Sequence, residues 1–273
     1  MKNLSGKVVL ITGGTSGIGK ATAKFLAEKG LIVYATGRDI SKAKDLENIG
    51  VNLKYLDLLD EKSMEKVISE ILSKHNTIDF LINNAGYGIA GAIEDIPIEE
   101  AIKQIEVNVF GQIKLCKMVI PIMRNHKSGR IINITSIASL IPSPFLSWYS
   151  TSKVAFSFLT FALRQEVKQF GIDVVELAPA GINTNWPIIA KENLEKFSKN
   201  SIYKPMAEKM FKFFDESIKS SPSPDIVAKK IYKILQKKKT KPRYYVPFYA
   251  KFVKLASVLP LTSIEKFYQT FFK

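Results

Sequence analysis

Short, predominantly apolar runs constrain this chain more than any other feature. Lys7–Thr12 (KVVLIT), Leu31–Thr36, Asn52–Leu56, Ile78–Ile82, Arg130–Thr135 and Asp173–Leu177 are such runs, and Tyr244–Val246 is a seventh. Helical spacing fills Ile18–Lys29, Ser63–Lys74, Ile98–Met123 and Trp148–Phe170 between them. A strand without polar alternation is buried on both faces. Helices between successive strands make the sheet parallel and cover both of its sides. The pattern therefore predicts a single α/β domain, doubly wound, with a seven-stranded parallel sheet. In such sheets ligands bind beyond the carboxyl ends of the strands, where the strand order reverses.

The composition agrees with that architecture. The chain has 273 residues, of which 46% are hydrophobic and 24% charged. That is enough to bury a full core without metal or disulfide support. The single cysteine, Cys116, excludes an internal disulfide and a cysteine-based zinc site. His75 and His126 have no metal-ligand neighbours and are read as surface residues, so no metal is expected. No run of 18 apolar residues predicts a spanning helix. Without a cationic, apolar leader, the expected location is cytoplasmic.

The first strand runs into Thr12-Gly13-Gly14-Thr15-Ser16-Gly17-Ile18-Gly19. Glycines allow a sharp turn and a close approach to a diphosphate, and the following helix offers unpaired N–H groups. The spacing is not the G-x-G-x-x-G fingerprint. A phosphate loop of the G-x-x-x-x-G-K-[ST] kind fails at Ala21, where a hydroxyl is needed. An ordinary glycine-rich β–α turn remains an alternative for the loop on its own. The second strand ends at Gly37-Arg38, with no acid to accept from a ribose; arginine there suits a 2′-phosphate, although Asp39 follows it.

Tyr149 and Lys153 are four residues apart in a helical segment and so share a face. An ammonium beside a phenol is expected to lower the phenol pKa and to make it an acid/base for an alcohol or carbonyl oxygen. Alone, a Y-x-x-x-K spacing is equally a packed tyrosine beside a solvated lysine. Ser136 ends the fifth strand and can offer a hydroxyl to a substrate oxygen. Asn83-Asn84-Ala85-Gly86 ends the fourth, and Pro179-Ala180-Gly181-Ile182-Asn183-Thr184 follows the sixth. Asn108 interrupts an apolar helical pattern. Its amide is either free to hold a water or satisfied locally.

With these motifs in order, the chain resembles the short-chain dehydrogenase/reductase family over residues 7 to about 185. Within it, the stretch from NNAGYGIAG to YSTSK looks most like the branch that includes 17β-hydroxysteroid dehydrogenase-like enzymes. The resemblance implies a Rossmann-like fold and an oxidoreductase that moves hydride between a nicotinamide and a secondary alcohol or ketone. Tyr149 would handle the proton. Lys153 would lower its pKa and hold the nicotinamide ribose, Ser136 would orient the substrate oxygen, and Asn108 would hold a relay water. Gly13, Thr15, Ser16, Gly17, Ile18 and Gly19 would surround the diphosphate. Arg38 would take the 2′-phosphate and Asp57 the adenine. Asn84, Ala85 and Gly86 would border the adenosine-side ribose. Pro179, Ile182 and Thr184 would contact the nicotinamide end. NADP(H) is the cofactor implied, ahead of NAD(H), with a homo-oligomeric assembly. Ala180 departs from the family's usual glycine after the proline. A membrane-associated reductase of acyl-lipid ketones and a cofactor-binding sensor without catalysis are the competing functions; the intact set of Asn108, Ser136, Tyr149 and Lys153 argues against the sensor.

The net charge of +15 is unevenly placed: residues 1–190 carry 21 basic and 18 acidic residues, and residues 191–273 carry 19 and 7. The expected division is a catalytic domain over 1–246, in which 186–221 covers the substrate, and a basic amphipathic helical tail over 247–273. Trp186, Phe197, Tyr203, Met206, Met210, Phe211, Phe213 and Phe214 make the covering segment apolar, against Ile89, Leu140, Ile141, Pro144 and Phe145. A hydrophobic substrate follows: steroid-, retinoid- or lipid-like. In the tail, Phe248, Phe252, Leu255 and Leu259 recur at helical spacing with Lys251 and Lys254 between them. Such a helix either lies on an anionic membrane surface or docks on the protein itself. No nucleic-acid-binding motif accompanies the charge, so no nucleic acid partner is expected.

Overall fold

A computed structural model describes residues 3–272, without the side chains of Ser217 and Ile218. Its seven strands are β1 (Val8–Ile11), β2 (Ile32–Gly37), β3 (Asn52–Tyr55), β4 (Phe80–Asn83), β5 (Gly129–Ile134), β6 (Ile172–Pro179) and β7 (Arg243–Val246). All pair in parallel, in the order β3-β2-β1-β4-β5-β6-β7. The order reverses between β1 and β4, which opens the ligand crevice above those two strands.

The continuous apolar runs have their explanation in the pleat. In β1, Val9 and Ile11 face one core with helices α1 (Gly17–Glu28) and α8 (Asp225–Leu235). Val8 and Leu10 face a second core with α2 (Glu61–His75) and the helix Gln112–Asn125. Period-two alternation then points every side chain into one apolar layer or the other. Truncating fully buried Leu10 to alanine is expected to cost about 2–5 kcal/mol. Helix α2 shows the local signals that start and stop such segments. The Asp60 carboxylate accepts from Lys62 N, Glu61 stands in the first turn, and Lys74 and His75 stand in the last.

The segment read as one helix over Ile98–Met123 is three pieces. Helix α3 (Ile98–Ile105) passes into a π-helical turn, Glu106–Gly111, and then into α4 (Gln112–Asn125). Helix α5 is Ser147–Val167 and ends three residues short of the expected Phe170, in a 3-10 turn. His75 is not a plain surface residue, since its Nε2 lies 3.0 Å from the Oη of buried Tyr34. Arg130 fastens the lower edge of the sheet. It pairs with Asp173 at 2.9 Å and donates to the carbonyls of Ile234, Leu235 and Lys237, which closes the C-terminus of α8.

Helices α6 (Trp186–Ser198) and α7 (Lys204–Ser220) form a hairpin over the strand ends, joined by a Lys191–Asp215 pair at 2.8 Å. Beneath it, Leu194, Met210 and Phe214 pack on Ala90, Phe145 and Leu146. The expected single tail helix is two, α9 (Ala250–Ala256) and α10 (Leu261–Phe272), interrupted before Pro260. Among the described residues, no helix is long and apolar enough to cross a membrane, and no group of three or more His, Cys, Asp or Glu could hold a metal.

Candidate active site

The glycine loop lies at the reversal point. Gly13 has φ +63, and a Cβ there would stand 2.8 Å from Ala85 Cα. A Cβ on Gly19 would collide with the Gly13 carbonyl. The loop therefore packs backbone to backbone against the end of β4, an approach only glycine permits. Asn84 braces it. Its Nδ2 donates to the carbonyls of Thr12 at 3.0 Å and Gly13 at 3.1 Å. The backbone N–H groups of Asn84 and Ala85 both donate to Thr12 Oγ1 at 3.0 Å. Thr15 is buried over Gly37, Ile18 packs into the core, and exposed Ser16 precedes α1 without capping it. With no side-chain cap and no acid in its first turn, α1 presents its free N–H groups and positive dipole end. A cradle that a Cβ would fill, edged by unpaired donors, fits a dinucleotide diphosphate.

The other proposed cofactor positions surround this cradle. Thr184 Cγ2 lies 3.3 Å from where a Gly17 Cβ would be, so the segment after β6 reaches the loop. Pro179 ends β6, Ala180 N donates to Val246 O at 2.8 Å, and Ile182 is buried. Thr184 Oγ1 accepts from Trp186 N at 3.2 Å at the start of α6. Asp57 shapes the turn after β3; its Oδ1 accepts from Leu59 N at 3.0 Å. Arg38 is exposed and has no ion-pair partner among the described residues. Asp39 does not neutralise it. That carboxylate accepts from Ser41 N and Oγ, at 3.1 and 2.5 Å, and pairs with Lys42 at 3.5 Å.

Across the crevice, Ser136 follows β5, and Tyr149 and Lys153 stand one turn apart on α5. All three meet: the Ser136 hydroxyl lies close enough to the Tyr149 phenol to draw its pKa down, and Lys153 Nζ lies 5.8 Å from the centre of the Tyr149 ring. The expected fall in the tyrosine pKa is corrected here. Burial pushes Tyr149 up to about 12, against the smaller downward pull of Ser136. Burial also pushes Lys153 down to about 8. The lysine donates to Ile134 O at 3.2 Å instead of to the phenol. Desolvation disfavours both charged forms, and it outweighs their attraction.

Asn108 occupies the π-turn, and its amide is not free. Oδ1 accepts from Tyr87 N at 3.0 Å, while Nδ2 donates to Tyr87 O at 2.8 Å and to Ser152 Oγ at 3.0 Å. Gly86 lies between this amide and Lys153, since a Cβ there would stand 3.0 Å from Asn108 Oδ1 and 3.5 Å from Lys153 Nζ. Two partners escaped the sequence reading. Gln104 Oε1 accepts from Ile89 N at 2.5 Å, and Gln112 Nε2 donates to Ala85 O. Gln104, Asn108 and Gln112 recur every four residues and grip residues 89, 87 and 85. The signal was two further buried amides flanking Asn108 at helical spacing. Cys116 lies beyond them, buried, with its thiol pushed up to about 12 and therefore unreactive.

Over Tyr149 lies Trp186, with ring centroids 4.8 Å apart, and Phe214 packs on Trp186 at 6.3 Å. A dinucleotide cradle facing a buried Tyr–Lys pair beside a half-buried serine defines a nicotinamide-dependent oxidoreductase. The comparisons with known proteins agree. The family model for short chain dehydrogenase matches residues 7–194. The 3-ketodihydrosphingosine reductase of Bacteroides thetaiotaomicron is 41% identical over 181 residues, 66% of this chain and 65% of that protein. The NADPH-dependent 3-dehydrocapnine reductase of Ornithobacterium rhinotracheale is 32% identical over 249 residues, 88% of each chain. A crystal structure of a short-chain dehydrogenase from Streptomyces avermitilis superposes with a TM-score of 0.80 at 27% identity, covering 96% of this chain and 94% of the other. The chain belongs to the short-chain dehydrogenase/reductase family. It is an NAD(P)-dependent oxidoreductase that acts on CH–OH or keto groups.

Proposed function

We propose that the protein is an NADPH-dependent reductase of a lipid-like ketone. The observation that carries this reading is the buried Tyr149–Lys153 pair beside half-buried Ser136, under an apolar cover. A phenol held near pKa 12 keeps its proton at neutral pH, which suits donation to a carbonyl oxygen more than removal of a proton from an alcohol. The bound nicotinamide supplies the hydride. Tyr149 gives its proton to the carbonyl oxygen, and Ser136 orients that oxygen by a hydrogen bond. Lys153, when charged, steadies the tyrosinate left behind and holds the nicotinamide ribose. Asn108 acts through the backbone it holds, and a relay water would be bound beside it and Lys153. Trp186 and Phe214 exclude bulk water, which strengthens each of these interactions.

Unpaired Arg38 supports NADP(H) over NAD(H), by its fit to a 2′-phosphate. The names of the two reductase relatives support a lipid ketone over a steroid or retinoid. In this reading, residues 1–246 are the catalytic domain with 186–221 as its substrate cover. Residues 247–273 are an accessory tail in peripheral contact with a membrane surface. Exposed Phe158 and Phe161 on α5 and Phe110 before α4 support homo-oligomer formation. The test is nicotinamide absorbance with NADPH or NADH and a panel of long-chain amino ketones, acyl-lipid ketones, steroid ketones and retinoids. Turnover of a long-chain ketone with NADPH is expected. Turnover confined to steroids or retinoids overturns the lipid assignment, and cofactor binding with no turnover of any ketone favours the sensor reading.

A further inference from the structure

The cover over Tyr149 does not end at α7. Phe214 is followed by Phe213 at 6.1 Å, Phe213 by Phe271 of α10 at 6.0 Å, and Phe271 by Phe267 at 6.4 Å. Trp186 closes the series on Tyr149. An unbroken succession of rings thus connects the catalytic phenol with Phe267, which is 63% exposed. Alpha10 is fixed in this position by Phe272, whose ring meets Phe145 at 5.8 Å and whose carbonyl accepts from Lys209 Nζ at 2.7 Å. A pocket of about 400 Å³ opens beside Phe145, where apolar Ile93, Pro144 and Met206 line it together with Glu94, Ser147 and Tyr203.

The outer surface of the tail matches one kind of partner. Val258 is 76% exposed and Leu261 72%, with Phe252 and Leu255 also largely in water. A soluble face does not present apolar side chains in that number without a partner. Next to them the charge is mostly positive, with Glu265 the one acid of residues 247–273. Lys251 stands 4.3 Å over the Phe248 ring. Burial lowers the pKa of Lys230, and repulsion from nearby Lys251, Lys233, Lys237 and Lys241 lowers it further. Apolar side chains surrounded by lysines complement an anionic phospholipid bilayer, with rings in the acyl boundary and ammonium groups at the phosphates. A second copy of this chain would bring the same positive charge to the contact and be repelled.

We infer that α9 and α10 seat the protein on an anionic bilayer, and that the aromatic series from Phe267 to Trp186 is the apolar route by which a ketone dissolved in that bilayer reaches Tyr149. The inference rests on the ketone reductase reading. It makes the tail part of substrate delivery and not only an anchor.

The test uses the full chain and two surface variants, Lys251→Glu/Lys254→Glu and Phe252→Glu/Phe267→Glu, whose exposed positions leave the core untouched. Flotation is measured with phosphatidylcholine vesicles with and without phosphatidylglycerol. Activity is measured on a short water-soluble ketone and on a long-chain ketone carried in the vesicles. The wild type is expected to float only with anionic vesicles. The lysine pair should weaken that binding by about tenfold or more, since each basic residue near the surface contributes about fivefold. Both variants should keep short-ketone turnover and lose most vesicle-borne turnover. Unchanged vesicle-borne turnover in both variants, or tail-dependent self-association in light scattering without flotation, overturns the inference. Loss of short-ketone turnover in the wild type instead removes the reductase reading beneath it.

Discussion

Lys153 and Tyr149 share one face of α5, yet the ammonium bonds the Ile134 carbonyl and meets the phenol ring only at 5.8 Å. The lysine is therefore placed to answer charge that develops on the tyrosine, without drawing the proton off beforehand.

Tyr149→Phe should remove the proton donor and leave the cradle intact. We expect turnover of a good ketone to fall by about a hundredfold to ten-thousandfold, with NADPH affinity by fluorescence titration within a few-fold of wild type. Retained turnover would assign the proton to another group.

The pH profile has a definite sign. In the proposed mechanism ketone reduction needs Lys153 charged, and burial brings that group down to about 8. The kcat/KM for NADPH, which reports the free enzyme, should be level below that pH and fall as the lysine loses its proton above it. A kcat/KM that rises through the same range would contradict this role.

Arg38→Ala should raise the KM for NADPH by about tenfold or more and leave that for NADH nearly unchanged, because the unpaired guanidinium faces only the 2′-phosphate in our reading. Equal effects on both nucleotides would place Arg38 elsewhere in the complex.

Gln112→Leu should act on stability before chemistry. It leaves the Ala85 carbonyl without this donor and the Thr12 hydroxyl, 3.3 Å from Gln112 Oε1, without an acceptor for its hydrogen, at a cost of about 2–3 kcal/mol. Thermal unfolding should shift down by several degrees. An unchanged midpoint would mean that the loop does not depend on this amide.

Phe158→Glu tests assembly. Phe158 is 75% exposed on α5, and an acid there should reduce the mass in light scattering to that of the monomer if α5 is the joining face. An unchanged oligomer would exclude that face.

The strands were readable because each apolar run stops where a polar strand-end motif begins, as at Asn83-Asn84 and Ser136. The π-turn at Glu106–Gly111 was not readable. Widening a helix for six residues hardly alters the spacing of Ile102, Val109 and Leu115 around it. Nor was the direction of the Tyr149 shift. The i and i+4 spacing shows that two groups are near, but burial comes from Trp186, 37 positions along the chain. The break in the tail had a visible cause in Pro260, whereas the docking of α10 on α7 depends on ring contacts that no local pattern reveals.

The reversal of strand order has a consequence for how the molecule is made. Strands β1 and β4 pair only through Val9–Phe80, Leu10–Leu81 and Ile11–Ile82, and about 70 residues of chain separate the partners. The walls of the cradle, Gly13 and Ala85, come from opposite sides of that join. A nascent chain that has assembled only β1 to β3 carries the glycine turn but nothing to close it. Grip on a dinucleotide thus begins only when these two strands have met, and nucleotide binding becomes a report that β1 and β4 have paired.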